Sequence, residues 1–160
     1  MTPLFTKLNL KDQRAIHVLD APPEFEAELN RLSGVTITRR VTARDTVTFG
    51  IAFATTQRQL DAASAALTRR AEGDAVIWIA YPKGSSTRYT CEFNRDSGFA
   101  TIGAAGFEGV RQVAIDDDWS ALRFRRVEFI KQVTRDPKRA LTAEGKRRTT
   151  AAAPGRPTQR

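Results

Sequence analysis

Residues 75–86 read AVIWIAYPKGSS. Seven apolar residues, from Ala75 through Trp78 to Tyr81, run without a charge before Pro82 interrupts them, and Gly73 bounds the run on its other side. An unbroken apolar run of this length suits a strand buried on both faces, because a surface helix needs a polar face and more residues. A strand of that kind belongs at the centre of a mostly parallel sheet with helices on either side. In such sheets ligands bind beyond the carboxyl ends of the strands, so the polar loop of Lys83, Gly84, Ser85 and Ser86 stands where a ligand would be met.

Upstream, residues 47–53 (VTFGIAF) read as a second mostly apolar strand. Thr56 and Gln59 have the spacing of a capping box. They open a helix whose Leu60, Ala63, Ser64 and Leu67 share one face, and Glu72, Gly73 and Asp74 end it. This is a strand–helix–strand unit, right-handed in nearly all proteins. Residues 15–19 (AIHVL) form the first strand, with Asp20, Ala21, Pro22 and Pro23 as the turn out of it. Phe25, Leu29 and Leu32 then mark one stripe of a helix, Gly34 stops it, and residues 35–38 return as a short strand. Leu4, Phe5 and Leu8 belong to a lead-in packed on the body. Downstream, a weak helix is expected from Asn94 or Asp96 to Ala105, because Gly98 and Gly103 each destabilise it by about 1 kcal/mol relative to Ala. Residues 109–115 and 122–129 form an antiparallel hairpin about an acidic turn, with a bulge at Arg125 and Arg126.

The chain has 160 residues and a net charge of +8. Residues 131–160 hold nine Lys/Arg against two Asp/Glu, leaving residues 1–130 with 17 against 16. The expected organisation is therefore one nearly neutral α/β domain over 1–130 and a basic tail over 131–160, mostly disordered for lack of large apolar side chains. One cysteine, Cys91, suits a reducing compartment. The first residues lack the apolar core of a secretory signal, and no stretch approaches a membrane span, so a cytoplasmic protein is expected.

Two motifs carry a resemblance. Trp78, Ile79, Ala80, Tyr81, Pro82 and Lys83 match a strand W-x-A-Y-P-K, and residues 116–124 match a hairpin D-x-x-W-S-x-L-x-F. With them, residues 10–129 resemble a bacterial domain family of unknown function. The layout also resembles the later half of Rossmann-like methyltransferases, which implies a three-layer α/β/α fold. Its sheet would have about six strands in an order near 2-1-3-4-6-5, the sixth antiparallel. The sequence departs from methyltransferases where their first strand meets a glycine-rich turn. Here that turn carries two prolines and no glycine, and the second strand runs into Arg39 and Arg40 rather than an acid. S-adenosylmethionine is therefore not expected, and no other cofactor is.

Parallel strands would gather Asp20, Thr55, Thr56, Lys83, Ser85, Ser86, Asp118 and Trp119 at one edge. Lys83 beside Gly84 and two serines can hold an anion by charge and hydroxyl donation, although the pattern is no P-loop. The plainer reading is a solvated loop with Lys83 paired to an acid such as Asp118. Asp116, Asp117 and Asp118 read as turn formers rather than a cation site, and Trp119 as packing over the sheet end. His17, the only histidine, reads as a strand residue without a second ligand of its kind. Arg88 and Arg95 would lower the pKa of Cys91 if they lay close, but with no local histidine an inert thiol is the better reading. In the tail, Lys146, Arg147 and Arg148 would attract phosphates without sequence preference. The leading expectation is a non-catalytic module that binds an anionic ligand or a protein. An enzyme acting on an anionic small molecule at the Lys83/Asp118 edge is the second, and a nucleic-acid accessory protein working through the tail the third.

Overall fold

The computed structural model describes residues 2–130. The tail and its Lys146, Arg147 and Arg148 lie outside the described residues. Helix α1 (Pro3–Lys7) is capped by the Thr2 hydroxyl, which accepts from the Phe5 amide at 3.1 Å. There follow β1 (Ala15–Leu19), α2 (Pro23–Asn30), β2 (Thr36–Thr38), β3 (Val47–Phe53), α3 (Gln57–Arg70), β4 (Ala71–Pro82), α4 (Ala100–Ala104), β5 (Phe107–Ala114) and β6 (Trp119–Arg126). The six strands form one sheet in the order β2-β1-β3-β4-β6-β5. The pairs among β2, β1, β3 and β4 are parallel, while β6 runs antiparallel to both β4 and β5. This is the methyltransferase-like order expected from the sequence.

Strand β4 shows why its unbroken apolar run dictates the centre of the sheet. Alternate residues face opposite sides of a strand. Val76, Trp78 and Ala80 join one core with Leu4, Phe5 and Leu8 of the N-terminal segment and Phe25 and Leu29 of α2. Ala75, Ile77, Ile79 and Tyr81 join a second core with Leu60 and Leu67 of α3 and Ile102 of α4. Burying each large side chain stabilises the fold by about 1.5–3 kcal/mol relative to exposure. Trp78 is fully buried, and its indole N–H donates to the Leu8 carbonyl at 2.7 Å, pinning the N-terminal segment to the sheet.

Several boundaries differ from those read in the sequence. Strand β4 begins at Ala71, because its register against β3 shifts between Val47 and Phe49 and Gly73 takes a positive φ of 59°, so the strand starts before its apolar run. The expected helix from Asn94 shrinks to α4; Asn94 instead accepts from the Asp96 amide and forms an isolated bridge with Ser97. The hairpin irregularity lies between Gly109 and Arg111 on β5, not at Arg125 and Arg126. Val127 opens a short 3-10 helix and does not extend the strand. Helix α2 ends at Asn30, four residues before Gly34. Among the described residues no helix is long and apolar enough to cross a membrane.

Candidate functional site

The carboxyl ends of β1, β3 and β4 and the turn between β5 and β6 meet at one edge of the sheet. Two helices, α2 and α3, begin there. A helix N-terminus presents unpaired N–H groups and a partial positive charge, and so attracts anions. Both are closed by the chain itself. At α3, Glu92 accepts from the Gln57 amide at 2.8 Å, and Thr56 and Gln59 complete the expected capping box. At α2, Pro22 and Pro23 supply no N–H at the cap and first position, and the Phe25 amide is held by the Pro22 carbonyl.

Glu24, in the first turn of α2, is the hub of this corner. Its carboxylate accepts from the Trp119 indole N–H at 3.0 Å and from the Tyr89 hydroxyl at 2.9 Å, and pairs with Arg88 at 3.6 Å. Burial by itself would push the Glu24 carboxyl up. Hydrogen bonds from its own backbone, Trp119 and Tyr89, with the Arg88 charge, outweigh that and hold it below the usual carboxylate range. The same contact pushes the Tyr89 phenol up. Arg88 also reaches Asp118 at 3.4 Å, whose other oxygen accepts from the Ser86 hydroxyl at 2.8 Å. The Ser86 oxygen in turn accepts from the Arg88 and Tyr89 amides, so this network fixes the loop after β4.

The residues singled out in the sequence do not all converge. Ser86 and Asp118 bond directly, and the Lys83 amide donates to the Asp118 carbonyl at 2.8 Å. The expected Lys83–Asp118 ion pair is not formed; Arg88 takes its place. Trp119 packs edge-on against Phe53 and beside Tyr89, as the packing reading had it. The Thr55 amide and hydroxyl both donate to the Gln59 side chain, at 2.8 and 3.0 Å, so Thr55 serves the start of α3. Asp20 is exposed at a positive φ of 57° and makes no hydrogen bond or ion pair among the described residues. Ser85 is exposed in the loop. Asp116 accepts from the amides of Asp118 and Trp119, both at 2.8 Å, which is the turn-forming role. His17 is buried in β1, with its Nε2 3.5 Å from an Asp45 carboxylate oxygen.

The open space lies on the α3 side of the same edge. A cleft of about 560 Å³ is lined by Tyr81, Lys83, Thr90, Cys91, Asn94 and Arg95, among others. No Asp, Glu or His lines it among the described residues, so the charged groups in its lining are Lys83 and Arg95, the latter 4.0 Å from the Asp96 carboxylate just outside. The Tyr81 hydroxyl accepts from Gln112 at 3.1 Å, and burial pushes its pKa up, so it remains a neutral donor. Burial likewise pushes up the thiol of half-buried Cys91, which agrees with the inert thiol read from the sequence rather than with one activated by Arg88 and Arg95. Asp118 and Trp119 do not line this cleft; Lys83 and Ser86 do.

Glu24, Tyr89 and Arg95 were not singled out in the sequence as a site. Glu24 read as one of several acids on the polar side of α2, and only the pair of prolines before it signalled an unusual helix start.

No protein-family model matches the chain, so the resemblance to a bacterial family of unknown function gains nothing from that comparison. No curated protein matches it in sequence either. Solved structures do resemble its fold. A SAM dependent methyltransferase from Aquifex aeolicus superposes with a TM-score of 0.53 at 13% identity, over 78% of this chain and 88% of that one. The N-methyltransferase NodS from Bradyrhizobium japonicum WM9, solved with S-adenosyl-l-homocysteine, gives 0.49 at 10% identity, over 79% and 89%. The fibrillarin pre-rRNA processing protein of Methanococcus jannaschii gives 0.44 at 12% identity, over 79% and 70%. At these identities the likeness is one of fold, and the fold is methyltransferase-like.

Proposed function

We propose that this protein is a binding module on a methyltransferase-like sheet that takes a small anionic ligand in the cleft of Tyr81, Lys83 and Arg95. The observation that carries this reading is the charge of the lining: two cations and a phenol donor, with no carboxylate among the described residues. Clefts of this size are ordinary for metabolite-sized ligands. Lys83 and Arg95 supply the attraction, and the Tyr81 hydroxyl supplies a directed hydrogen bond. Acid–base chemistry near neutral pH needs a group that titrates there. The thiol and the phenol of this cleft are both shifted upward, away from neutrality, which favours binding over turnover.

S-adenosylmethionine does not fit the corner where the fold would hold it. The turn after β1 has no glycine to let a ligand approach the backbone, and α2 opens with two prolines. The Glu24 carboxylate, latched by Trp119 and Tyr89, already stands at the end of that helix.

The test is thermal unfolding of the full chain with pyrophosphate, citrate, AMP and S-adenosylmethionine. A ligand at about 100 times its Kd adds roughly 2.7 kcal/mol, which for a body of this size raises Tm by about 3–6 °C. The reading expects a rise with at least one anion, lost in Lys83→Ala and Arg95→Ala. A rise with S-adenosylmethionine that those variants keep would overturn it.

A further inference from the structure

Two uncharged side chains of the cleft are oriented from behind by the chain itself. Asn94 lines the cleft and is exposed. Its carboxamide oxygen accepts from the Asp96 amide at 2.8 Å and from the Ser97 hydroxyl at 3.3 Å. With the oxygen so engaged, the NH2 is the part of the group left to meet a ligand, and it makes no hydrogen bond among the described residues. The Ser97 amide closes the same turn on the Asn94 carbonyl at 3.1 Å. Phe93, the residue before it, packs on Tyr81 with ring centroids 5.9 Å apart, which brings the turn to the Tyr81 wall of the cleft.

Tyr81 is arranged in the same way. Its hydroxyl oxygen accepts from the Gln112 carboxamide N–H at 3.1 Å, and its O–H donates to no described residue. A hydroxyl that already accepts keeps its one proton for another group, and the cleft is what Tyr81 and Gln112 both line. Ser86 is the contrast. It also lines the cleft, but its proton goes to Asp118 and its oxygen accepts from the Arg88 and Tyr89 amides, so it has no donor left for a ligand. The charged groups of the lining are Lys83 and Arg95. The Asp96 carboxylate, 4.0 Å from Arg95, stands outside the lining with its side chain exposed.

We propose that the ligand of this cleft is a doubly charged oxyanion without an ammonium group, a phosphate monoester or a dicarboxylate, and that Asn94 and Tyr81 are the residues that select it. This rests on the anion-binding reading of the cleft and names the class of anion. A doubly charged oxyanion brings acceptor oxygens and no donor, which matches the N–H of Asn94 and the O–H of Tyr81 beside Lys83 and Arg95. The Tyr81 phenol keeps its proton, because burial holds its pKa up. A zwitterion such as an amino acid would bring an ammonium beside Lys83 and Arg95 with no carboxylate in the lining to meet it. Like charges set together in a binding site are costly, and specificity comes as much from what a site refuses as from what it holds.

Titration calorimetry of the full chain tests this with pyrophosphate as reference and two matched pairs, succinate against aspartate and propyl phosphate against phosphoethanolamine. The members of each pair differ by one ammonium group, and the pair that binds tells a carboxylate ligand from a phosphate one. The member without the ammonium should bind about tenfold or more tightly than its partner. Asn94→Asp keeps an oxygen for the Asp96 amide and the Ser97 hydroxyl but puts a carboxylate oxygen where the NH2 was. It should weaken the dianion about tenfold and narrow its lead over the zwitterion, which a merely loosened turn would not do. Tyr81→Phe keeps the buried ring and should weaken the dianion about fivefold or more. If the chain binds pyrophosphate through Lys83 and Arg95 but takes the ammonium-bearing partners as tightly, takes neither member of either pair, or binds the dianion unchanged in either variant, this proposal fails and the anion-binding reading stands. If it takes none of these anions, both fail.

Discussion

The Trp119 indole nitrogen lies 3.0 Å from a Glu24 carboxylate oxygen, joining the first turn of α2 to the start of β6 across 95 positions of chain. The same carboxylate holds the Tyr89 hydroxyl. One side chain thus fastens the first crossover unit, the loop after β4 and the terminal hairpin to each other.

Replacing Glu24 by Ala leaves the Trp119 N–H and Tyr89 O–H without their acceptor. An unsatisfied, largely buried donor costs about 1–3 kcal/mol. Urea unfolding of Glu24→Ala should show a loss in that range, and an unchanged midpoint would mean that the latch contributes nothing.

The pH dependence has a definite sign. Glu24 is held below its ordinary value, so its contribution is fully present above the unfolded pKa, about 4.3 for a Glu, and is lost as pH falls through the lower folded value. Asp74, which Arg125 holds down by hydrogen bonding, and Glu26, which Arg39 holds down, act in the same direction. The Tm should therefore fall on acidification below about pH 4. The gap between the parent and Glu24→Gln should narrow over the same range; a gap that stays constant would show that Glu24 is not the titrating group.

Thr56→Ala removes one half of the α3 capping box. The expected loss is about 1 kcal/mol, read as a lower denaturation midpoint with the m-value unchanged. Thr55→Ala should lose less, because its amide still donates to Gln59.

Gly98 has a φ of +91°, and a Cβ there would lie 2.7 Å from the Phe93 Cβ. Gly98→Ala therefore combines a strained backbone with a clash beside the cleft, and should destabilise by about 1–3 kcal/mol. A variant as stable as the parent would show that segment 93–99 repacks freely.

Cys91 should react slowly. Burial raises its pKa, so the thiolate fraction at pH 7 is below that of a free cysteine. Iodoacetamide labelling should be slower than for glutathione at pH 7 and should accelerate as pH rises towards 10. Faster labelling than glutathione at pH 7 would mean that Arg88 and Arg95 dominate after all.

The sheet was legible in the sequence because each strand carries its own signal. The apolar run from Ala75 to Tyr81, the alternation in residues 122–124 and the capping box at Thr56 are local, and local patterns survive folding. What was not legible depends on pairs distant in sequence. Asn94 looked like a helix cap, but its loop is fixed from elsewhere, with Glu92 bonded to Gln57 and the Gln57 side chain bonded to the Gly98 carbonyl. Asp118 looked like a partner for Lys83, but Arg88 reaches it first. Glu24 looked like surface, because nothing within several residues of it announces Trp119 or Tyr89.

The place of β6 between β4 and β5 has a consequence for how the chain comes off the ribosome. Strand β5 is made before β6, yet it pairs as a strand with β6 alone. Until Arg126 has emerged, β4 presents a bare edge with Ile77 and Ile79 beside it, and β5 has no berth. Such edges invite pairing with other nascent chains. The sheet is therefore completed by its last strand sliding into its interior, and a nascent chain that has emerged only as far as the turn between Ala114 and Trp119 would display that bare edge.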